Sequence, residues 1–425
     1  MIDLSGWRGR AGGARQLLAL ALRNVLRHRR RSAIALGAVV FGVVAMLLAN
    51  GFIDWVLWAM RESTIRSQLG HLQVTRAHYR AAGAADPFAF LIPANAPVRA
   101  AIAAEPRVEV VAPRLSFSGL ASLNDATLSF IGDGVVPERE AAIHRSHRLD
   151  TSVNVVAGRD LADAAAPEAI LGKGLAENLG AQVGDRVVLL ATSRSGGLNA
   201  VEVTVVGLFQ TVSKAYDDAA LRVPLPVAHA LLRVDGDHTL VVLLDETRRT
   251  ASVAARLQSA LAPGGFEVTP WYELADFYNK TATLFARQAQ VVNAIIAIII
   301  VLSISNTLTM SVLERVGEIG TALALGVRRA QILRQFIVEG VLLGAIGGLA
   351  GVALGVAAAY AISAVGIPMP PPPGMGRGYV AQIMVTPRLV LEAFGLALGT
   401  TLVASLYPAW KAARFPIVDA LRFNR

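Results

Sequence analysis

The chain has 425 residues, of which 54% are hydrophobic and 17% are charged, and its formal net charge at pH 7 is +9. This composition is more apolar and less charged than that of a typical soluble protein, so it indicates a membrane protein. Cysteine is absent, which excludes a disulfide framework and a Cys-ligated metal site. The basic residues lie beside apolar segments, as the positive-inside rule expects of cytoplasmic segments, so we expect no nucleic-acid partner.

The N-terminal part of the chain predicts a cytoplasmic helix followed by a membrane span. From residue 14 onward, segment 1–31 places apolar side chains at helical spacing between arginines. This pattern predicts an amphipathic interfacial helix, with a plain basic flank of the span as the alternative. An uncharged run follows, and Trp55 and Trp58 come after it as an aromatic belt would. We therefore place the first transmembrane helix at residues 32–60 and expect it to continue to Gln68 as a stalk.

Residues 61–287 predict a large periplasmic region of mixed α and β structure, which is either one domain or two lobes. Short runs rich in valine and leucine, separated by glycine-containing turns, predict β-strands. Strands are predicted at 71–75, 108–111, 128–131, 186–190, 201–209 and 240–244, and helices at 97–105, 174–179 and 250–261. Segment 271–287 is predicted to return to the membrane as a second helical stalk.

The same region contains no recognisable catalytic motif. It has no H-E-x-x-H, no G-x-S-x-G and no Walker-type phosphate loop, and the glycines of residues 172–174 have the wrong spacing for one. His144 and His147 lack a third metal ligand nearby, so we interpret them as a solvated surface pair. Asp217 and Asp218 are interpreted as a charge pair in a loop. We therefore expect no catalytic residue and no metal, and predict that the chain is not an enzyme.

Three further spans are predicted, at residues 288–313, 337–366 and 389–408, the last closed by the proline at its end. A proline-rich loop at 367–388 is placed in the periplasm, and a basic tail at 409–425 in the cytoplasm. The predicted fold class is a membrane protein with four transmembrane α-helices and a large α+β extracytoplasmic domain inserted between the first and second helices. Four spans place both termini and the basic segments on one face of the membrane.

Residues 314–336 form a charged segment between the second and third spans. Its apolar residues recur at helical spacing and predict one face of a short helix: Ile319, Ala322, Leu323 and Gly326. The charges complement the helix dipole, with Glu314, Arg315 and Glu318 on the N-terminal side and Arg328 and Arg329 on the C-terminal side. Gly326 is the predicted stop of this helix. The apolar face would bury against membrane helices of the same chain or against a cytoplasmic partner, and the pattern does not distinguish the two.

The third span carries glycines that are mostly three or four residues apart. They are Gly340, Gly344, Gly347, Gly348, Gly351 and Gly355. Small residues let helix backbones approach closely in a membrane. The stripe therefore predicts close helix packing, either within one subunit or between the two subunits of a dimer.

Motifs along nearly the whole chain carry a family resemblance. The main ones are ERVGEIGTALALG at residues 314–326, the glycine stripe, PAWKAAR at 408–414 and LALRN at 20–24. Together they resemble the FtsX/MacB-type permease family of ABC transporters. The stretch QLGHLQV at 68–74 is similar, more narrowly, to the lipoprotein-releasing LolC/LolE-like branch.

The resemblance implies a permease that works as a homo- or heterodimer with a second permease subunit. Its periplasmic domain would have porter-like and sabre-like lobes. ATP and Mg would be bound by a separate pair of ABC ATPase subunits, so this chain itself would need no cofactor. A coupling helix would dock on the ATPase, and the residues assigned to it are Glu314, Arg315, Glu318, Ile319, Gly320, Leu323, Ala324, Gly326 and Arg328. The expected location is the bacterial inner membrane, with lipid and a periplasmic lipoprotein carrier as further partners.

The function that the resemblance implies is ATP-driven extraction or movement of a lipoprotein, or another hydrophobic substrate, from the inner membrane. Transmission of mechanical force to a periplasmic partner and MacB-like efflux are the alternatives. Family geometry would place substrate entry between the first and second spans of facing subunits. The residues assigned to this entry are Gly42, Ala45, Ala49 and Asn50, opposite Ala294, Ile298 and Ser305.

Overall fold

A computed structural model describes residues 29–83, 85–144, 154–162, 164, 166–211, 213–370 and 379–416, together with residues 21, 23 and 27. The predicted interfacial helix in segment 1–31, the end of the predicted tail and most of the proline-rich run lie outside the described residues. The described chain forms two compact units. The helical unit contains the described residues up to Val56, Thr283–Ile367 and the residues from Val380 onward, and the α+β unit contains Leu57–Ala282 with the described part of 368–379.

The helices and strands are numbered here in chain order. The α-helices are α1 (Arg29–Thr64), α2 (Tyr79–Ala82), α3 (Pro97–Ala103), α4 (Pro137–His144), α5 (Lys173–Leu179), α6 (Lys214–Asp217), α7 (Leu225–Leu232), α8 (Thr250–Leu261), α9 (Trp271–Leu274), α10 (Asp276–Glu314), α11 (Val316–Ala324), α12 (Arg329–Val365) and α13 (Pro387–Ala413). The strands are β1 (Leu72–Arg76), β2 (Val108–Leu123), β3 (Ala126–Val135), β4 (Asn154–Gly158), β5 (Glu168–Gly172), β6 (Arg186–Thr192), β7 (Leu198–Gln210), β8 (Ala220–Pro224), β9 (Thr239–Leu244), β10 (Phe266–Pro270), β11 (Ile367–Met369) and β12 (Tyr379–Ala381).

The α+β unit is built on one ten-stranded mixed sheet with the strand order β10-β1-β9-β2-β3-β8-β5-β7-β4, in which β6 pairs with both β2 and β7. Most neighbours are antiparallel, but β8 runs parallel to β3 and β5 runs parallel to β7. The long strand β2 pairs with β9 along its first half and with β6 near its end. This shared strand joins the two ends of the sheet, so the unit is one sheet with two regions.

Two apolar cores cover the two regions of this sheet. One core packs α8 and α3 against β1 and β9, and its largest contributors include Leu72, Ile102 and Leu257. The other packs α5 and α7 against β3, β5, β6, β7 and β8. Continuous apolar strands such as β9, in which every residue is buried, fit a sheet covered on both faces. The strands predicted within 61–287 and the helices predicted at 97–105 and 174–179 are confirmed with shifted ends, and the helix predicted at 250–261 is confirmed with the same ends.

Four of the described helices are long and apolar enough to cross a membrane, judged by length and composition. They are Arg30–Leu69, Asp276–Glu314, Arg329–Val365 and Pro387–Ala413. The predicted continuation of the first span into a stalk is confirmed, because α1 runs to Thr64 and a π-helical turn, Ile65–Leu69, follows it. The predicted end of the third span is also confirmed, since α12 ends at Val365 and Gly366 has a φ of +74°.

The sequence predicted that Pro408 closes the last span. Pro408 instead lies inside α13, which continues to Ala413. A proline in a helix interior removes one hydrogen bond and costs about 3 kcal/mol in isolation. Here the surrounding turns are buried, with Ala404 at 2% exposure and Ala409 at 0%. Packing of neighbouring helices offsets the lost bond, as it does in other membrane helices.

The second stalk is also not the single helix that was predicted at 271–287. Helix α9 ends at Leu274, and Ala275 has φ −87° and ψ 59°, which is not a helical conformation. Helix α10 then begins at Asp276 and runs without interruption to Glu314. The returning chain therefore has a defined break just before the long helix.

Candidate functional site

The C-terminal end of α11 is closed by its own backbone. The N–H of Val327 donates to the carbonyl of Ala322 at 3.1 Å, and the N–H of Gly326 donates to the carbonyl of Leu323 at 3.1 Å. Gly326 has a φ of +93°, in the left-handed region that favours glycine. These two bonds with a left-handed glycine form a Schellman motif. Gly326 is therefore the helix stop that the sequence predicted.

The charges around α11 lie on the predicted sides of this helix, but several of them also adjoin the neighbouring helices. Glu314 is the last residue of α10, and Arg315 is the N-cap of α11 without a capping side chain. Arg328 and Arg329 lie at the start of α12, where the side chain of Gln331 accepts from the N–H of Arg328 at 3.1 Å. A cation is unfavourable at the N-terminus of α12 but favourable beyond the C-terminus of α11, so the two helix dipoles act on these exposed arginines in opposite directions.

The apolar face of α11 packs inward against its own chain. Ile319 is 5% exposed and Leu323 is 8% exposed. Both belong to one apolar cluster with Val312 of α10, Ile332 and Phe336 of α12, and Ala409 and Ala412 of α13. Each such buried side chain contributes about 1.5–3 kcal/mol. The sequence left two alternatives for this apolar face. The structure shows the first of them, because the face packs against helices of the same chain. Three predicted docking residues, Ile319, Gly320 and Leu323, are buried and position α11.

The surface that α11 presents is the turn at its end, residues 324–328, which we call the α11 tip. Leu325 is 82% exposed and Val327 is 38% exposed. Ala324, Gly326 and Arg328 are exposed beside them. Single exposed apolar residues are common on any protein surface. Two of them on a turn whose opposite face is buried, next to arginine, form a compact mixed surface.

Arg315 fastens α11 to α12. Its Nη1 lies 3.5 Å from Oε2 of Glu339, and its guanidinium lies 5.4 Å from the ring centroid of Phe336. Its Nε also lies 3.3 Å from Oε2 of Glu318. The Arg315 and Glu339 side chains are largely buried, whereas the Arg27–Glu318 pair is 68% and 55% exposed. An exposed ion pair such as Arg27–Glu318 contributes only about 0–1 kcal/mol to stability, so the buried contacts of Arg315 matter more for the position of α11.

The glycine stripe of α12 packs against two helices of the same chain. A methyl group at Gly340 would lie 2.6 Å from Cβ of Ser405 in α13, and Gly344 faces Thr401 in the same way. Gly348 faces Phe394 of α13. Toward α1, a methyl group would lie 2.9 Å from Val39 at Gly347, 2.7 Å from Val43 at Gly351 and 2.6 Å from Leu47 at Gly355. The stripe is used for packing within the subunit, which was one of its two predicted uses.

Two of the predicted substrate-entry residues of α1 face the chain's own α10. A methyl group at Gly42 would lie 2.7 Å from Ile300, so Gly42 is covered. Asn50 donates through Nδ2 to Oδ1 of Asn293 at 3.1 Å. These two residues therefore contact α10 of the same subunit, and their role in substrate entry stays a prediction. Ile298 is 58% exposed on the opposite side of α10, and Ala294 is exposed as well.

A buried charged cluster in the α+β unit was missed by sequence reasoning. Arg114 donates to Glu140 through Nε at 2.7 Å and through Nη2 at 2.8 Å. Arg222 lies 3.1 Å from Nε2 of His144, and Ser67 closes the group through its carbonyl. The available signal was an arginine in the otherwise apolar strand β8, ALRVP. His144 is 8% exposed, so its interpretation as a solvated residue was wrong, and His147 lies outside the described residues.

Electrostatics keep this cluster in one protonation state. Burial would raise the pKa of Glu140, but the guanidinium of Arg114, with help from Arg222, outweighs it and holds the pKa at about 2. Burial, followed by the positive charge of Arg222, lowers the pKa of His144 to about 3. Near neutral pH the cluster therefore contains two guanidinium groups, one carboxylate and a neutral imidazole.

The remaining motif residues have structural roles. Asp217 is 3% exposed and accepts from the backbone N–H of Thr211 at 3.0 Å, so it is not a solvated loop residue. Burial raises the pKa of the Asp217 carboxyl, while the bonds from Thr211 oppose this shift. Asp218 pairs with Lys214 at 2.8 Å. The glycines of residues 172–174 pass close to these aspartates. Within the ranges described above, no three or more acidic or histidine side chains come together as a metal site.

Family models match both parts of the chain. Residues 32–260 match the MacB-like periplasmic core domain, and residues 291–417 match the FtsX-like permease C-terminal family. The first of these models alone covers more than half of the chain.

Individual relatives agree with these models. The chain is 31% identical to the macrolide export ATP-binding/permease protein MacB of Rhodospirillum rubrum over 61% of this chain and 38% of that protein. It is 29% identical to the lipoprotein-releasing system transmembrane protein LolC of Xylella fastidiosa over 60% of this chain and 64% of that protein. It is 24% identical to MacB of Escherichia coli over 83% of this chain and 54% of that protein. In each case the chain spans less than two thirds of the relative's length.

Among solved structures, the periplasmic region of MacB from Actinobacillus actinomycetemcomitans matches with a TM-score of 0.35 and 12% identity over 51% of this chain and 95% of that one. A score this low supports no argument about the fold. The family models and the sequence relatives carry the assignment instead, together with the four apolar helices. The chain belongs to the FtsX/MacB-type permease family of ABC transporters, within which it also has LolC-like relatives.

Proposed function

We propose that this chain is the transmembrane permease subunit of an ABC transporter in the bacterial inner membrane. In this proposal the α+β unit is periplasmic and is inserted between the first and second spans. The α11 tip is cytoplasmic and receives force from an ABC ATPase. ATP hydrolysis then drives motions of the periplasmic unit, and the permease has no catalytic residue of its own.

The observation that carries the proposal is the α11 tip. Its apolar residues Leu325 and Val327 are exposed to solvent, while the other side of α11 is buried against α10, α12 and α13. A short helix that is buried in three long helices transmits a push on its tip to all of them. Arg328 and Arg329 add exposed positive charge at and beside the tip, which fits a partner that carries acidic side chains.

The ATPase is proposed to be a separate pair of subunits that binds ATP and Mg. The sequence of this chain contains no Walker-type phosphate loop. The MacB relatives are named ATP-binding/permease proteins, which associates ATP binding with permeases of this family. A second permease subunit, identical or related, would complete the complex.

The proposed substrate is a lipoprotein or another hydrophobic molecule that is taken from the membrane, with a periplasmic lipoprotein carrier as acceptor. The LolC relative favours this substrate class, and the MacB relatives favour the alternative of efflux. Transmission of force to another periplasmic partner is the remaining alternative. The exposed apolar side of α10, with Ile295, Ile298 and Leu302, is available to lipid, substrate or the second subunit.

Substitution of Leu325 tests the docking proposal. Because Leu325 is 82% exposed, Leu325→Glu removes little packing within the chain but places a charge on the docking surface. We expect the full-length variant to insert and fold normally, yet to lose co-purification of ABC ATPase subunits from membranes, as measured by mass spectrometry of the tagged chain. Substitution of a residue at the centre of an interface typically costs more than about 2 kcal/mol of binding free energy.

The matched control for this experiment is Leu198→Glu. Leu198 is 72% exposed in the α+β unit, far along the sequence from α11, and its substitution is expected to leave the ATPase bound. Retention of the ATPase by the Leu325→Glu variant would show that the α11 tip is not the docking surface.

The substrate proposal is tested by depleting the protein in its own host. Accumulation of mature lipoproteins in the inner membrane would support lipoprotein release. Normal lipoprotein sorting with altered cell-wall hydrolysis would instead select force transmission, and normal sorting with increased drug sensitivity would select efflux.

A further inference from the structure

The end of the first stalk is closed by side chains from the sheet. The last carbonyls of a helix have no partner within the helix. Here the carbonyl of Ser67 accepts from Nη2 of Arg222 at 2.8 Å, and the carbonyl of Gln68 accepts from Nη1 of Arg114. The stalk then ends at Gly70, whose N–H returns to the carbonyl of Ile65 at 2.7 Å. Two cations thus hold the negative end of the helix dipole.

The two arginines come from different parts of the sheet and are joined by one carboxylate. Arg114 lies on β2 and Arg222 on β8, at 6% and 1% exposure. Glu140 of α4 accepts from Arg114 through both oxygens, and its Oε2 lies 3.9 Å from Nη1 of Arg222. A bidentate pair fixes direction as well as distance. We call Arg114, Glu140 and Arg222 the helix clamp, and it ties the stalk to β2, β8 and α4.

Apolar packing beside the helix clamp also holds the end of the first stalk. Ile65 of the π-helical turn is 0% exposed and packs with Ala112 of β2 and with Ile143 of α4. Arg66 donates to the carbonyl of Ile143 at 3.4 Å. The stalk end is therefore held against the same two elements, β2 and α4, by packing and by charged hydrogen bonds.

The returning stalk packs on the same apolar cluster as the first one. The chain leaves β10 through α9 and breaks its helix at Ala275 before α10 begins. Trp271 and Ala275 are buried in one cluster with Ile65, Ala112 and Ile143. The ring of Trp271 also packs against Tyr278, with centroids 5.2 Å apart. Packing on this cluster therefore holds both stalks, whereas the charged hydrogen bonds of the helix clamp are made to the end of the first.

We infer that the helix clamp makes the end of α1 a rigid lever on the sheet. A shift of α1 then moves β2, β8 and α4 together with it. The lever itself is a property of the folded chain, whereas its use in transport rests on the proposed function.

Hydrogen exchange of the full-length chain in lipid nanodiscs tests the lever directly. We compare the wild type with Arg114→Met and Arg222→Met, which keep much of the side-chain length but remove the charged donors. The expected result is exchange about tenfold faster or more at the amides of residues 62–70, as the loss of a charge-assisted hydrogen bond implies. The β6–β7 hairpin should keep its wild-type exchange.

Two further variants separate the clamp from general stability. Arg186→Met removes an exposed pair with Glu202 in the same unit and should change neither region. Arg222→Lys keeps one cationic donor and should recover part of the protection at residues 62–70. Unchanged exchange at 62–70 in both methionine variants would overturn the inference. Uniformly faster exchange over the whole sheet would also overturn it, because the clamp would then only stabilise the fold.

The use of the lever is tested in the complex reconstituted with its ATPase. If the wild type shows ATP-dependent changes in exchange of the sheet, Arg222→Met should lose them while hydrolysing ATP at the wild-type rate. Retained ATP-dependent changes in the variant would overturn the lever. If the wild type shows no ATP-dependent change, the proposed function fails, and the first experiment still decides whether the clamp holds the stalk.

Discussion

At the scale of single residues, two buried histidines need to be neutral for their hydrogen bonds to form. The Nδ1 of His71 accepts from the N–H of Leu244 at 3.0 Å, so the ring carries its proton on Nε2 and bonds to Thr247 at 3.0 Å. The Nε2 of His144 lies 3.1 Å from a nitrogen of Arg222 and acts as the acceptor of that bond. Protonation of either acceptor nitrogen would break its bond.

This arrangement predicts that the protein loses stability in mild acid. Burial, followed by Arg66, lowers the pKa of His71 to about 3, and burial with Arg222 lowers the pKa of His144 to about 3. In the unfolded chain both take up a proton near pH 6.5. The contribution of the two neutral histidines to the free energy of unfolding is therefore complete above pH 6.5, and it is lost as the pH falls from there toward 3. For each histidine, the free energy of unfolding should be about 2 kcal/mol lower at pH 5 than at pH 7.5.

The measurement is chemical unfolding of the full-length protein in detergent at pH 7.5 and pH 5, followed by tryptophan fluorescence. His71→Gln should have a smaller pH dependence than the wild type. His78→Asn changes an exposed histidine with a φ of +67°, which asparagine tolerates, and should retain the wild-type pH dependence. Equal pH dependence in the wild type and in His71→Gln would contradict the role given to His71.

The pairing of residues in the helix clamp is not predictable from the sequence pattern. The helix clamp consists of charged residues that are far apart in the sequence, and neither spacing nor composition links Arg114 to Glu140 or Arg222. Burial of an arginine is stabilising only when a partner is present. That partner is found through the pairing of strands and not through the local sequence.

At the scale of elements, α12 is the helix around which the helical unit is packed. Its glycines let α1 approach on one side and α13 on the other, with close approaches at Gly351 and Gly340 among others. A side chain at these positions would meet Val43 or Ser405. Overpacking of this kind typically costs about 1–3 kcal/mol.

Gly351→Ala should therefore lower the stability of the helical unit by about 1–3 kcal/mol. Gly399→Ala on α13 is the matched control, since nothing lies within 4 Å of a methyl group there. Alanine favours a helix over glycine by roughly 0.5–1 kcal/mol, so the control should be neutral or slightly stabilised. Thermal unfolding of both purified variants in the same detergent measures the difference. A Gly351→Ala variant as stable as the control would show that α1 and α12 are not in close contact.

At the scale of the whole molecule, the proposed topology depends on the side of the membrane that each part occupies. The loop at Gly196 is a suitable insertion point, because Gly196 has a φ of +82° and nothing lies within 4 Å of a methyl group there. A reporter inserted at Gly196 should be active only as a periplasmic fusion, and one fused after Arg425 only as a cytoplasmic fusion. The physical reason is the basic excess beside the predicted cytoplasmic ends of the spans. A cytoplasmic signal from Gly196 would reverse the proposed topology.

The amino-acid sequence by itself determined the number of apolar helices, the mixed α and β character of residues 61–287, the stop at Gly326 and the family. These features follow from local composition, periodicity and motifs, which need no knowledge of distant contacts. Tertiary structure decided the continuation of α13 past Pro408, the inward orientation of Ile319, the division of the glycine stripe between α1 and α13, and the helix clamp. Each of these depends on packing between segments that are distant in the chain, and packing free energy outweighs the local preferences that the sequence reveals.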